Sequence, residues 1–438
     1  MARSQSLDDA VLTRTHKHIF LSALGSPFIA GYVLSLIGVV IAQISGELKL
    51  STMWEGLIAA AALLGVFFGG TLGGWITDNF GRKFLYLLNP VLIFVFSVAH
   101  MFTETALTLC LLRFIIGVAV GADYPVASTI LSEFMPKKHR APMIGGLVIM
   151  WFAGSATAYI SGELIMSTWG DESWRIVLAA AAIPCALFFF MRLGSPESPR
   201  WMADRGNLAA ADQIVKSVYG QQYSINDMPE EEEKKLSLRC LFSAGHGRNM
   251  LFVTLFWTCS IIPLYAVNIF APKVMHALAL SGRWASLGSI MIMLLFVVGS
   301  MLASKMLSMM GRRQLLIQSF IGSTIPLLLL GAFPEASPVA VLVLFSVYAI
   351  CIGGTQVLLF VYPTELFPTS IRASALGVGT SFSKLGAAVG IYLVPMSVAS
   401  FGISPTMYAA AVISLIGLIA TVLMAPETRS NGLMKTAV

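Results

Sequence analysis

Apolar runs of about twenty residues recur along the whole of this 438-residue chain, and no other feature narrows its fold as much. A helix rising 1.5 Å per residue crosses ~30 Å of hydrocarbon in such a length. A helix also satisfies its own backbone, as a bilayer demands of any segment that crosses it. Twelve runs fall at 18–44, 54–77, 84–102, 105–132, 141–166, 174–193, 249–271, 284–306, 313–333, 338–362, 372–398 and 405–425. The alternating pattern of a membrane barrel is missing from the sequence. With 57% hydrophobic and only 11% charged residues, the chain has too little polar surface for a water-soluble fold of this size. The expected class is an all-α membrane protein with twelve transmembrane helices.

An even number of runs places both termini on one side. Arg14, His16 and Lys17 precede the first run and no small-residue cleavage site follows, so it reads as a retained span and not a signal peptide. Positive residues concentrate on the cytoplasmic side of membrane proteins. With cytoplasmic termini, only Lys49, Arg175, Lys273 and Arg283 of the 28 Lys and Arg residues lie outside, while Arg113 and Lys384 fall deep within runs, away from their ends. The net charge of +6 is therefore a signal of topology in a cell inner membrane, not of a nucleic-acid partner. Neither the five cysteines nor the six histidines have metal-ligand spacing. No P-loop or catalytic triad is evident. No metal, cofactor or enzymatic activity is expected, and the protein is read as a monomer.

One long polar stretch, 194–248, contains "PEEEEKK" at 229–235 and separates a six-run segment, 1–193, from a second, 249–438. It reads as a solvated cytoplasmic linker with some helix. Three signatures recur across it at nearly one offset. "GWITDNFGRK" (74–83) has a degraded counterpart in "SKMLSMMGRR" (304–313), "EFMPKKHRA" (133–141) matches "ELFPTSIRA" (365–373), and "PES" (196–198) matches "PET" (426–428). Three matches in one order indicate a duplicated six-helix unit.

Two six-helix halves with these motifs resemble the major facilitator superfamily of transporters. Its loop motif G-x-x-x-D-x-x-G-R-K/R is present as Gly74, Asp78, Gly81, Arg82 and Lys83, departing at Asn79. "PESPRW" (196–201), "YPTELFPTSIRA" (362–373) and "PETR" (426–429) resemble the sugar-porter-like branch. The resemblance implies a secondary transporter in which two pseudo-symmetric bundles rock around a midplane site. Gly74 and Gly81 are expected to permit close packing and a tight turn. Asp78 is expected to accept hydrogen bonds from a neighbouring helix end and from Arg82 or an arginine of the other half. Glu133 with Arg140, and Glu365 with Arg372, are expected to join Arg82, Glu197, Arg200 and Arg312 in a cytoplasmic gate made in one state and broken in the other.

Charges inside the runs carry the substrate expectation, because each costs at least a few kcal/mol in a bilayer and is normally kept for a pathway or a partner. Asp123 lies ten residues, ~15 Å of helix, from Glu133, and Lys384 lies twelve, ~18 Å, from Arg372. Both are placed at similar depth in opposite halves. "GADYP" (121–125) and "KLGA" (384–387) resemble motifs of phosphate:proton symporters, which implies proton binding at Asp123 and anion binding at Lys384. Ile261 and Val33 stand where that family carries acidic residues, and Val33 also replaces the proton-coupling aspartate of sugar symporters. Against sugar porters, Val148, Ser155, Cys259, Ser260 and Phe360 occupy positions of the hexose-binding glutamines and tryptophan.

The inferred pocket is Tyr32, Trp151, Ser155, Tyr159, Trp257, Tyr265, Asn268, Gln356 and Phe360 with Lys384, an aromatic set with few polar groups. A sugar needs a hydrogen-bond partner for each buried hydroxyl. This set suits a small organic anion moved by proton symport, with Asp123 as proton acceptor. A sugar or phosphate symporter, a proton-driven exporter and a uniporter stay open, and a structural ion pair between the halves is the alternative role for Asp123 and Lys384. The partner of Arg113 is left open.

Overall fold

The computed structural model describes residues 7–228, 246–277, 283–367 and 369–428. The acidic run at 229–235 lies outside them. Among the described residues, twelve helices are long and apolar enough to cross a membrane: Arg14–Glu47, Thr52–Thr77, Arg82–Phe102, Ala106–Phe134, Gly145–Trp169, Trp174–Arg192, Gly247–His276, Trp284–Leu307, Arg312–Ala332, Pro338–Pro363, Ala375–Phe401 and Ile403–Met424. They coincide with the twelve runs to within a few residues. The seventh differs most, running past 271 to His276. There Phe270 leaves helical geometry (φ −105°, ψ 18°) two residues before Pro272, and the helix resumes through Lys273.

The internal repeat holds in three dimensions. In the first six spans, the first packs on the fifth, the second on the fourth and the third on the sixth. In the last six, the seventh packs on the eleventh, the eighth on the tenth and the ninth on the twelfth. The two bundles meet where the second span lies along the eleventh, the fifth along the eighth and the first along the seventh. Between the sixth and seventh spans, part of the linker is docked and not merely solvated. Helix Leu208–Tyr219 turns Ala211, Val215 and Val218 inward at helical spacing. Tyr219 donates to the Phe134 carbonyl at 2.8 Å, and Thr13 donates to the Val218 carbonyl at 2.8 Å. The face carrying these contacts is called the linker face below, and its opposite the far face.

Candidate functional site

Halfway along the spans, the two bundles are joined by a small polar knot. Ser35 Oγ lies 2.7 Å from Ser155 Oγ and 3.0 Å from Asn268 Oδ1, and Asn268 Nδ2 donates to Ser155 Oγ at 2.7 Å. Met293 Sδ accepts from both Ser155 and Asn268. Ser35, Ser155 and Asn268 are all fully buried. The kink explains the next contact. Pro272 has no N–H to offer the carbonyl four residues back, which is that of Asn268. The Tyr159 hydroxyl donates to this carbonyl instead. Close approach of the first span requires Gly38, where a Cβ would sit 2.5 Å from the Ile269 carbonyl oxygen. Tyr159→Phe is expected to strand the Asn268 carbonyl and cost about 1–3 kcal/mol. The check is the melting temperature of purified protein, which would stay unchanged if that bond contributed nothing.

One helical turn nearer the linker face sits the aromatic and cationic part of the predicted pocket. Trp151 meets Tyr265 edge-on, with ring centroids 5.6 Å apart. Lys384 Nζ donates to Tyr265 Oη at 2.9 Å and lies 4.7 Å from the Tyr265 ring centroid. The buried Trp151 indole N–H has no hydrogen-bond partner among the described residues. Trp257 is buried beside Gly379 of the eleventh span, and Gln356 donates to the Thr355 hydroxyl. Tyr32 is turned aside to Ser161, 2.8 Å away. The Phe360 side chain lies outside the described residues. The geometry thus gathers Trp151, Tyr265 and Lys384 into one group and Ser155, Tyr159 and Asn268 into another directly above it. An ammonium and an indole N–H both donate, so the first group is built to meet an acceptor.

Asp123 does not have Lys384 as its counter-charge. Arg192, at the end of the sixth span, holds it through two parallel bonds, Nη1 to Oδ1 and Nη2 to Oδ2, each 3.0 Å. Asn89 Nδ2 adds a third at 3.2 Å. Arg192 also donates to the Tyr86 carbonyl at 2.8 Å and to Ser26 Oγ at 2.7 Å, and stacks 4.2 Å from the Tyr86 ring centroid. Its side chain has no solvent exposure and that of Asp123 has 4%. The pair ties the first, third, fourth and sixth spans together inside one bundle. Sequence reasoning missed Arg192 because it stands at the edge of an apolar run, where a basic residue counts toward topology. Arg113 is also buried. Its Nη1 donates to the Val33 carbonyl at 2.8 Å, so a backbone oxygen takes the place of the first-span carboxylate. Its Nε and Nη2 have no partner among the described residues.

At the linker face the repeat reappears as two matching charge clusters. Gly81 has φ +92°, a conformation that favours glycine, and starts the third span. Glu197 caps this start, accepting from the backbone N–H of Arg82 at 3.0 Å and of Lys83 at 3.2 Å. Glu427 does the same for Arg312 at 2.9 Å. Arg82 pairs with Glu133 at 3.4 Å, and Arg312 clasps Glu365 at 2.9–3.1 Å. The Thr428 hydroxyl of "PET" bonds Glu365, while its equivalent in "PES", Ser198, accepts from the Trp201 backbone N–H at 3.1 Å. Arg200 sits half-buried on the short helix Pro199–Asp204. Each of these contacts is made within one half. The close packing expected at Gly74 falls one residue earlier: a Cβ on Gly73 would be 2.6 Å from Ala122 Cα, whereas Gly74 has nothing within 4 Å among the described residues. The side chains of Asp78, Arg140 and Arg372 lie outside the described residues.

Toward the far face, a cavity of about 380 Å³ opens between the halves above the polar knot. Glu55 and Glu163 line it from the first bundle, Lys273 and His276 from the second, and Tyr159 is the one residue of the predicted pocket on its wall. Lys273 Nζ donates to both carboxylate oxygens of Glu55 at 2.8 Å.

This architecture and these motifs agree with known proteins. The family model described as sugar (and other) transporter matches residues 18–438. YaaU of Escherichia coli K12, a protein named for metabolite transport, is 39% identical over 438 residues, spanning 100% of this chain and 98% of the relative. The inner membrane metabolite transport protein YgcS of the same organism is 34% identical over 424 residues, spanning 97% and 94%. A partially occluded inward-open structure of the E. coli xylose transporter XylE is similar in fold, with TM-score 0.81 at 22% identity over 94% of this chain and 98% of that one. With one family matched over nearly its whole length and twelve spans in two repeated bundles, the chain belongs to the sugar (and other) transporter family and has the major facilitator fold.

Proposed function

We propose that this protein moves a small organic anion across the cell inner membrane by alternating access, as a monomer coupled to protons in symport, with both termini and the linker face in the cytoplasm. The observation that carries the reading is the group of Lys384, Tyr265 and Trp151, a half-buried cation beside a buried, unpartnered indole N–H where the two bundles meet. A carboxylate would accept from both, whereas a hexose would bring more hydroxyls than the group can pair. Ser155, Tyr159 and Asn268 close this pocket from outside, and Tyr32, Trp257, Gln356 and Phe360 are proposed as further substrate contacts. Residues 1–193 and 249–438 rock about it, joined by 194–248.

Asp123 is the proposed proton acceptor. Its ionised form holds Arg192, so a proton on Asp123 removes the counter-charge and loosens the junction of four spans in the first bundle. On the cytoplasmic side the clusters of Arg82, Glu133 and Glu197 and of Arg312, Glu365 and Glu427 brace each bundle. With Lys83, Asp78, Arg140, Arg200 and Arg372 they form the gate that parts when the inside opens, turning at Gly74 and Gly81. The test is a thermal-shift screen of purified protein against organic acids, hexoses, inorganic phosphate and amphipathic cations. Binding to the native state alone raises stability by about 2.7 kcal/mol at a hundred times Kd. Stabilisation by an organic acid, lost in Lys384→Gln and partly kept in Lys384→Arg, is the expected result. Stabilisation by a hexose that survives Lys384→Gln would overturn it.

A further inference from the structure

The far-face cavity divides its charges by bundle. Its acidic wall, Glu55 and Glu163, belongs to the first bundle, and its basic wall, Lys273 and His276, to the second. The walls are joined by the Glu55–Lys273 pair, in which the ammonium meets both carboxylate oxygens at 2.8 Å. Nearby, the bundles touch again where a Cβ on Gly56 would be 2.3 Å from the Tyr392 carbonyl oxygen. Glu55 is nearly buried, with 7% of its side chain exposed, while 32% of the Lys273 side chain is exposed and Lys273 lines the cavity. Tyr159 on the cavity wall bonds the Asn268 carbonyl, so the polar knot stands between the cavity and the Lys384 group. A solute arriving from the far face therefore meets Lys273 before it meets Lys384.

We infer that Lys273 is an outer anion-capture site that Glu55 occupies while the mouth is shut. Separation of the bundles at the far face breaks the pair and leaves the acidic wall on one side and the basic wall on the other. The freed ammonium, with His276 on the same wall, then takes an incoming carboxylate, and the solute's own charge replaces that of Glu55. Closure from this state requires the anion to pass inward or to leave, because Glu55 and the anion compete for one cation. One residue thus serves as latch and as first contact. The inference rests on the organic-anion reading for its natural ligand, but the latch and the preference of the wall for anions are measurable without that ligand.

The probes are two membrane-impermeant thiol reagents of opposite charge, a sulfonate and a quaternary ammonium methanethiosulfonate, applied from the far face. They report on a cysteine at Ser286, which lines the same cavity, relative to protein without the added cysteine. With Glu55 intact both reagents are expected to react slowly. Glu55→Gln is expected to speed the sulfonate reagent roughly tenfold and the cationic one much less, since the free ammonium attracts one and repels the other. Lys273→Gln also breaks the latch, and here the cationic reagent is expected to gain more. The reversal Glu55→Lys with Lys273→Glu is expected to restore slow reaction with both, and controls for damage caused by a single uncompensated charge. Equal rates in the Glu55→Gln and parent proteins would overturn the latch. A sulfonate-to-cation ratio shared by Glu55→Gln and Lys273→Gln would overturn the anion site. If both hold while the thermal-shift screen finds no organic acid, the capture site stands and the substrate reading fails.

Discussion

Arg192→Gln is expected to destabilise the protein by about 3–5 kcal/mol, because it leaves the Asp123 carboxylate buried without a counter-charge. Among the described residues Asp123 keeps only the amide of Asn89 as a side-chain partner, and 4% of its side chain reaches solvent. The Tyr86 carbonyl and Ser26 hydroxyl lose a donor at the same time. The expected readout is a large fall in melting temperature and in the yield of monodisperse protein. Asp123→Asn alone strands the arginine and is expected to do comparable harm. The double change Asp123→Asn with Arg192→Gln replaces a charged pair by two neutral amides of similar shape and is expected to recover most of the loss. A double variant whose loss is the sum of the two single losses would show that the residues act independently.

Lys384→Gln carries the second large effect, on binding. A charge-assisted hydrogen bond contributes about 1.5–3 kcal/mol, so its loss is expected to weaken binding of the organic acid roughly ten- to a hundredfold. Tyr265 and Trp151 touch each other independently of the lysine, so the pocket should keep its shape and the variant should stay folded. Titration calorimetry with the acid identified by the thermal-shift screen reads this directly. Undiminished affinity would remove Lys384 from the site.

Much of the fold could be read from the sequence because span length and apolarity are local properties, and the repeat is written in motifs at one offset. The same motifs placed the linker-face clusters, where Arg82, Glu133 and Glu197 find their equivalents in Arg312, Glu365 and Glu427. What could not be read was partner choice inside the membrane. Depth along a helix set Asp123 and Lys384 level with one another, but depth says nothing about which way a side chain turns. Asp123 faces into its own bundle, toward Arg192, and Lys384 faces Tyr265. The signal for Arg192 was present as an arginine inside the last turn of an apolar run, and it was masked because a basic residue there also fits the orientation rule. Glu55 and Lys273 were hidden for a similar reason. Each stands near the end of a span where charge is unremarkable, and only the packing of two distant spans brings them together.

We propose that transport is driven by protons through Asp123. The most direct test uses the double variant Asp123→Asn with Arg192→Gln, which removes the titrating group without leaving a buried charge. In proteoliposomes loaded and assayed with the same organic acid, wild-type protein should accumulate it against its gradient when the outside is made acidic. The variant should no longer do so, while still exchanging labelled for unlabelled acid in counterflow at a comparable rate. Accumulation by the variant under the imposed pH gradient, at the level of wild type, would contradict the account.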